Sequence, residues 1–318
     1  MLLTPVVFLI FNRPSLTAQV FERIRQAQPR QLLIVADGPR ANRAGEAELC
    51  AQTRAIVERI DWDCDVQHNY ADANLGCKRR IASGLDWVFA TVEEAIILED
   101  DCLPQPTFFR FCEEMLDRYR HDERIMGIGG ANYQFGQRRG ANKTDSYYFS
   151  RFCHIWGWAS WRRSWQLYDV EMKLWPEVKQ LGWLNDIIMN DAIAAQWGRM
   201  FDRVVAGELD TWDCQWAFAT WVHAKLGIVP NGNLISNIGF GVQATHTNTR
   251  GARPPLTANL PTPAMTFPLQ HPNYVIRDKA ADDFTDLVQK DTLSRLERVQ
   301  LRLKRIKNQE PRAKTKES

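Results

Sequence analysis

Short, unbroken apolar runs alternate with amphipathic stretches through the first 130 residues. Residues 6–11 form one such run, and 31–36 and 95–98 form two more. Runs of this length without polar interruption are those of strands buried on both faces, as in a parallel sheet. Asn12-Arg13-Pro14 stops the first run, and Ser15 is placed to cap a helix carrying Val20, Phe21 and Ile24. The pattern predicts further helices over residues 46–60, 77–90 and 107–120, and strands over 64–69 and 125–128. In the last of these helices Phe108, Phe111, Met115 and Leu116 share one side. Strand and helix alternating in this way predict an α/β protein, with a Rossmann-like, mostly parallel central sheet flanked by helices.

The ends of the apolar runs carry the chemistry. The first leads to Arg13, the second to Asp37-Gly38, and the third to Glu99-Asp100-Asp101. Open α/β sheets bind ligands at the carboxyl ends of their strands, so these groups are predicted to face one crevice. Three adjacent carboxylates repel one another, and a hard cation such as Mn²⁺ or Mg²⁺ would relieve that repulsion, with a polyphosphate completing its coordination. A solvated acidic turn is the competing reading. Asn74-Leu75-Gly76 opens a helix whose first turn holds Lys78, Arg79 and Arg80. Cations there oppose the helix dipole unless an anion is near, so this turn is either solvated or faces phosphate.

Beyond residue 130 the pattern is less regular. Residues 131–146 are rich in Gly, Asn and Arg and read as an exposed loop able to close over a ligand. A strand is predicted over 146–152, a turn through Trp156-Gly157-Trp158, helices over 165–168 and 176–205, another helix beginning at Asp210-Thr211-Trp212-Asp213, and a strand over 228–235. Gly239, Gly241 and His246 follow in a loop. The division expected is a main α/β domain over 1–250, in two halves (1–130 and 131–250). A proline-rich wrapping segment (251–285) and a basic amphipathic helix and tail (286–318) complete the chain.

Composition narrows the classes. With 318 residues, 45% hydrophobic and 25% charged, the chain has the make-up of a globular protein with a sizeable core. A net charge of +2 argues against nucleic acid as partner. Seven scattered Cys without a CxxC pair favour neither a disulfide framework nor zinc, and fit a reducing cytosol. The tail from Lys290 holds ten cations against four acids, which makes it a candidate for peripheral contact with the inner face of a membrane or for packing on its own domain. Twelve Trp, several of them between Trp156 and Trp221, supply either core or rings for stacking on sugars. No Walker loop, dinucleotide fingerprint, nucleophile elbow, zinc spacing or internal repeat is present.

Taken together, Phe11-Asn12-Arg13-Pro14, Asp37-Gly38, Asn74-Leu75-Gly76 and Glu99-Asp100-Asp101 resemble the successive landmarks of GT-A glycosyltransferases. They are similar to family-2-like enzymes, to the N-acetylglucosaminyltransferase I group with its Glu-Asp-Asp metal motif, and to bacterial sugar transferases. The likeness covers about residues 5–246. It implies a GT-A fold and metal-dependent, inverting hexosyl transfer from a nucleotide diphosphate sugar, UDP-linked by expectation, to a saccharide or glycoconjugate hydroxyl. Arg13, Asp37, Asn74, Gly76 and Lys78 would then serve the donor nucleotide, with Glu99 and Asp100 at the ribose and behind the metal. Asp101 would be the direct metal ligand and His246 an additional one. Asp213 would be the base, with Asp210 in reserve, although Asp210-x-x-Asp213 also has the spacing of a helix cap. Trp156, Gly157 and Trp158 would lie on the acceptor side. A sugar nucleotidyltransferase and a non-catalytic carbohydrate-binding protein are the alternatives.

Overall fold

A computed structural model describes residues 1–240 and 256–289. The strands are β1 (Val6–Ile10), β2 (Gln31–Ala36), β3 (Asp65–Tyr70), β4 (Glu94–Glu99), β5 (Cys102–Pro104), β6 (Ile125–Gly129), β7 (Tyr147–Ser150), β8 (Trp158–Trp161), β9 (Leu226–Pro230) and β10 (Ile235–Asn237). The helices are α1 (Pro14–Ala27), α2 (Glu46–Val57), α3 (Gly76–Thr91), α4 (Thr107–Tyr119), α5 (Arg162–Trp165), α6 (Trp175–Leu181), α7 (Trp183–Ile188), α8 (Asp191–Val205), α9 (Asp213–Val222) and α10 (Lys279–Gln289). Eight strands form one sheet in the order β3-β2-β1-β4-β8-β6-β9-β7, and β5 and β10 form a separate antiparallel ribbon.

β3, β2, β1 and β4 run parallel, as do β6 and β9, while β8 and β7 run against their neighbours. The expected α/β class, with a mostly parallel central sheet flanked by helices, is what the structure has. β1 and β4 are covered on both faces: Val6, Phe8 and Ile10 look into one apolar cluster, and Val7 and Leu9 into the other. Each such side chain contributes about 1.5–3 kcal/mol on burial. No helix among the described residues is long and apolar enough to cross a membrane.

The differences from the expected elements have physical causes. Pro14 takes the first helical position with Arg13 as the N-cap, so Ser15 lies inside the first turn of α1 rather than capping it. The expected Trp-rich turn is half strand: β8 inserts antiparallel between β4 and β6 and makes the sheet mixed. Asn231-Gly232-Asn233 breaks the single strand expected over 228–235 into β9 and β10.

Residues 131–135, expected to be exposed, are buried. Their polar groups are consumed internally. Asn132 Nδ2 donates to the Pro230 carbonyl at 2.6 Å, and Gln134 Nε2 to the Ala281 carbonyl at 3.0 Å. A helix the sequence pattern did not predict, α10, runs over Lys279–Gln289. It is held by charge: Arg151 pairs with Asp286, and Asp282 accepts from Ser150, Arg277 and the Arg151 backbone N–H. Removing one partner from such a buried set costs about 3–5 kcal/mol. The basic tail from Lys290 lies outside the described residues.

His154 is buried between Phe152, stacked at 5.7 Å, and Tyr133, edge-on at 4.6 Å. Burial pushes its pKa down from 6.5 to about 4. Between those values the unfolded chain binds the proton and the folded chain does not, so stability falls as pH drops through that window and is unaffected above it. The full shift corresponds to about 3 kcal/mol. Urea midpoints compared at pH 7.0 and 5.5 should fall for the wild type and fall less for His154→Phe. Equal falls in both would remove His154 as the source.

Candidate functional site

The site is built by the register of three parallel strands. Val6 of β1 lies level with Leu32 of β2 and Ile96 of β4, so the residues following Ile10, Ala36 and Leu98 emerge at one sheet edge. There Arg13 meets the acidic triplet. Its guanidinium donates through Nε to Asp100 Oδ2 at 3.2 Å, through Nη2 to Asp100 Oδ1, and through Nη1 to Asp101 Oδ2 at 2.9 Å. Asp100 is buried, Arg13 and Asp101 nearly so. Burial would lower the Arg13 pKa, but Asp100 and Asp101 outweigh it and hold the guanidinium charged. Burial likewise pushes the Asp100 carboxyl upward, against the pull of Arg13.

Glu99, half-buried at the end of β4, has no such partner among the described residues. Burial, followed by repulsion from Asp101, Asp100 and Asp213 and opposed by Arg13, pushes its pKa up to about 8. The start of α9 is thus near enough for Asp213 to act on Glu99. Cys77, at the start of α3, feels both groups. Burial first, then the charges of Glu99, Asp210, Asp213 and Asp37, raise its thiol pKa. The acids near residue 100 and those near residue 212, far apart in sequence, therefore act on a common neighbourhood.

Asp37, Asn74, Gly76 and Asp210 form a second cluster around the amino end of α3. Buried Asp37 accepts from the N–H groups of Gly38 (2.8 Å), Leu75 (2.9 Å) and Gly76 (3.2 Å) and from Asn74 Nδ2 (2.9 Å). Burial nonetheless leaves its pKa above the usual range. Asp210 accepts from the N–H groups of Cys77 at 2.9 Å and Lys78 at 2.8 Å. Gly76 has φ +79°, and a β-carbon there would lie 2.7 Å from the Asp210 carboxylate. The anion at the amino end of α3 is thus a protein carboxylate. The basic turn is spoken for as well: Lys78 reaches Glu171 at 3.4 Å, and buried Arg80 donates to the Asn69 carbonyl at 2.6 Å.

Asp213 is the first residue of α9 and is exposed. Its Oδ1 accepts from the Thr211 hydroxyl and from the Cys214 N–H at 2.8 Å. Burial first, then the Asp213 charge and a hydrogen bond to its carboxylate, raise the pKa of the neighbouring Cys214 thiol. The two acids have distinct surroundings, one satisfied by a helix end and one half-open to the cleft.

On the far side, Gly157 packs beside Leu98 with φ +58°, and its carbonyl accepts from Gly130 N–H at 2.7 Å. Trp156 is half-buried, edge-on to Tyr133 at 5.5 Å and to Phe240 at 5.6 Å. Trp158 is fully buried and stacks against Trp212 at 5.7 Å, so the acceptor-side role expected of its ring does not hold: it is core beneath the cleft. His246 lies outside the described residues.

Sequence reasoning missed the ribbon of β5 and β10. Through it the Ile238 N–H donates to the Asp101 carbonyl at 2.8 Å, and the backbone of Gly239 passes so close that a β-carbon there would collide with the Asp101 carboxylate. The Gly-Phe-Gly sequence at 239–241 was its only signal. Also missed was buried Glu46, which accepts from Asn12 Nδ2 at 2.9 Å and from Arg40 and fixes the loop after Asp37 against the end of β1.

Whether these residues suit a divalent cation can be judged from their donors. Among the described residues no three His, Cys, Asp or Glu side chains form a cage for a metal. Asp101 Oδ1, however, carries only a weak thiol donor, Cys102 Sγ at 3.4 Å, and the charges acting most strongly on Glu99 are three carboxylates against one guanidinium. One carboxylate in a field of excess negative charge fits a hard cation whose other ligands come from an anionic ligand.

No protein-family model matches the chain, and no curated protein matches it significantly. Among solved structures, similar chains include a UDP-glucose pyrophosphorylase complexed with UDP-glucose, at 10% identity over 72% of this chain and 90% of that one, TM-score 0.38. Another is the mannosyltransferase PcManGT from Pyrobaculum calidifontis in complex with GDP-Man and Mn²⁺, at 16% identity over 52% of this chain and 47% of that one, TM-score 0.37. A third is 4-diphosphocytidyl-2C-methyl-D-erythritol synthase from Anaerococcus prevotii, at 8% identity over 71% and 88%, TM-score 0.34.

The division of labour between the two acids has a direct consequence. Asp210→Ala removes the carboxylate that satisfies the amino end of α3 and should cost about 1 kcal/mol or more, while Asp213→Asn should leave stability within about 0.5 kcal/mol of the wild type. Urea denaturation of both variants measures this, and the reverse order would exchange their roles.

Proposed function

We propose that this chain is a nucleotide-sugar glycosyltransferase of GT-A type, moving a hexose from a nucleotide diphosphate donor, UDP-linked by preference, to a hydroxyl of a saccharide or glycoconjugate. The observation that carries the reading is the convergence of Arg13, Asp37 and Glu99-Asp100-Asp101 on one edge of the parallel strands, with exposed Asp213, at the start of α9, near enough to act on Glu99.

In this reading Asp37 and Asn74 receive the base, Glu99 the ribose, and Arg13 the phosphates. Asp101 would hold a Mn²⁺ or Mg²⁺ ion, and the charge neutralisation such an ion supplies suits a departing diphosphate. Asp213 takes the proton of the acceptor hydroxyl at Oδ2 as its oxygen attacks the anomeric carbon. The bond from that carbon to the diphosphate oxygen breaks on the opposite face, and the configuration inverts. Thr211 and the Cys214 N–H hold the Asp213 carboxylate by its other oxygen, which fixes its direction. Trp156, edge-on to Phe240, offers an aromatic ring on which a sugar could stack.

Thermal denaturation with UDP, GDP and their sugars, with and without Mn²⁺, tests the donor assignment. A matching nucleotide at about 100 times its Kd should raise Tm by about 5 °C, and only with the metal. No shift with any nucleotide diphosphate would overturn the reading. Turnover of a nucleoside triphosphate with a sugar phosphate, and no transfer to a hydroxyl, would replace it with nucleotidyl transfer. Asp213→Asn should reduce sugar transfer about 100-fold or more with nucleotide affinity unchanged. Near-normal turnover would remove Asp213 as the base, and a product of retained anomeric configuration would reject the single displacement.

A further inference from the structure

The acidic triplet already has a cation, and it belongs to the protein. Arg13 spends two of its donor groups on Asp100 and one on Asp101. The Asp100 end is the anchor: that carboxylate is 2% exposed, faces both arms of the fork, and accepts in addition from the Phe11 backbone N–H. The Asp101 end is a single contact of 2.9 Å at Oδ2.

Asp101 itself is pinned. Its carbonyl is held by Ile238 N–H, and the Gly239 backbone lies against its carboxylate. The carboxylate therefore cannot swing away from Arg13 to meet a metal elsewhere. A divalent ion taken up at Asp101 must come within a few ångströms of a buried guanidinium, and like charges at that range in a poorly hydrated cleft repel strongly. A diphosphate entering with the ion removes the conflict, because a guanidinium exchanges a carboxylate for phosphate oxygens at little loss in hydrogen bonding.

We propose that Arg13 is the resident counter-ion of Asp101 and makes divalent-cation binding contingent on a diphosphate, its Nη1 leaving Asp101 for a phosphate oxygen as the two ligands enter together. This rests on the nucleotide-diphosphate reading given above. Arg13 acts here as a positioning residue that keeps the cleft closed to bare metal and turns its charge to the leaving group once the donor is in place.

Free Mn²⁺ is read by electron paramagnetic resonance as the metal alone is titrated into the full chain, and the titration is repeated with UDP and with GDP. The variants are Arg13→Met, and Arg13→Met combined with Asp100→Asn. The double variant spares the fold a buried, unpaired Asp100 and leaves the net charge of the cleft unchanged. Asp101→Asn is the control for the site. The wild type should bind Mn²⁺ alone weakly and tighten by tenfold or more with the matching nucleotide. The double variant should bind Mn²⁺ alone about 10- to 100-fold more tightly than the wild type, the scale on which neighbours of a ligand move metal affinity, and gain less from nucleotide. Asp101→Asn should abolish binding and leave the free Mn²⁺ signal at full height.

Equal Mn²⁺ affinity in the wild type and the double variant overturns the inference, as does a gain that survives Asp101→Asn. Failure of every nucleotide to bind the wild type overturns the donor reading instead. The comparison with Mn²⁺ alone then still decides whether Arg13 holds the metal off Asp101.

Discussion

Parallel pairing in a fixed register is the constraint on which the site depends. Because β2, β1 and β4 run together with Leu33, Val7 and Ile97 level, the polar residues at their carboxyl ends cannot be elsewhere than side by side. A shift of one residue in β4 would turn its inward-facing set to the opposite cluster and withdraw the triplet from Arg13. Both faces of β1 and β4 are buried, so such a shift would exchange whole rows of packed side chains. The apolar runs thus do two things at once: they build the core, and by locking the register they fix where the charges stand.

Charge then dictates what the edge can hold. Arg13 pulls against the burial that pushes the Asp100 carboxyl upward, and Asp101 shares that cation, while Glu99 has no such partner among the described residues and its pKa rises to about 8. The cleft carries unbalanced negative charge on the β4 side and at Asp213. Meanwhile the amino end of α3, the obvious place for an anion, is filled by Asp37 and Asp210. A phosphate entering this cleft would meet the free end of α3 only by displacing Asp210, whereas Arg13 needs only to release one contact. In the proposed reading, that ordering of costs makes Arg13 the point at which an anion is accommodated.

The sequence displays the fold class through residues 6–130 because buried parallel strands leave uninterrupted apolar runs and their helices leave a clean period. The placement of Arg13, Asp37 and the triplet on one edge follows from the same pattern. Other features leave weaker traces. β8 was hidden because Trp158 and Trp161, large and aromatic, read equally well as turn, core or ligand platform. Trp158 proves to be packed with Trp212 and Trp216, while Trp156 is only half-buried and packs edge-on against Phe240. The buried run at 131–135 was disguised by its polarity, since Asn132 and Gln134 are there to bond carbonyls of distant segments. Pairings across more than 100 residues, such as Asp210 with Cys77 and Asp282 with Ser150, carry no local signal at all.

The spacing Asp210-x-x-Asp213 illustrates how one pattern can serve two elements. Read along the chain, the first acid should cap the helix that the second begins. In three dimensions Asp210 turns away and caps α3 instead, and α9 starts without a side-chain cap. That leaves Asp213 at an uncapped helix end, held by one oxygen, beside the carboxylates of β4. The link from Asp210 to α3 also ties the segment carrying Asp213 to the segment carrying Asn74 and Gly76, so the distance between the acid of α9 and the edge of β4 is set by hydrogen bonds to a helix end rather than by a free loop. In the proposed reading, where Asp213 takes a proton at a defined point, that kind of fixity matters more than burial.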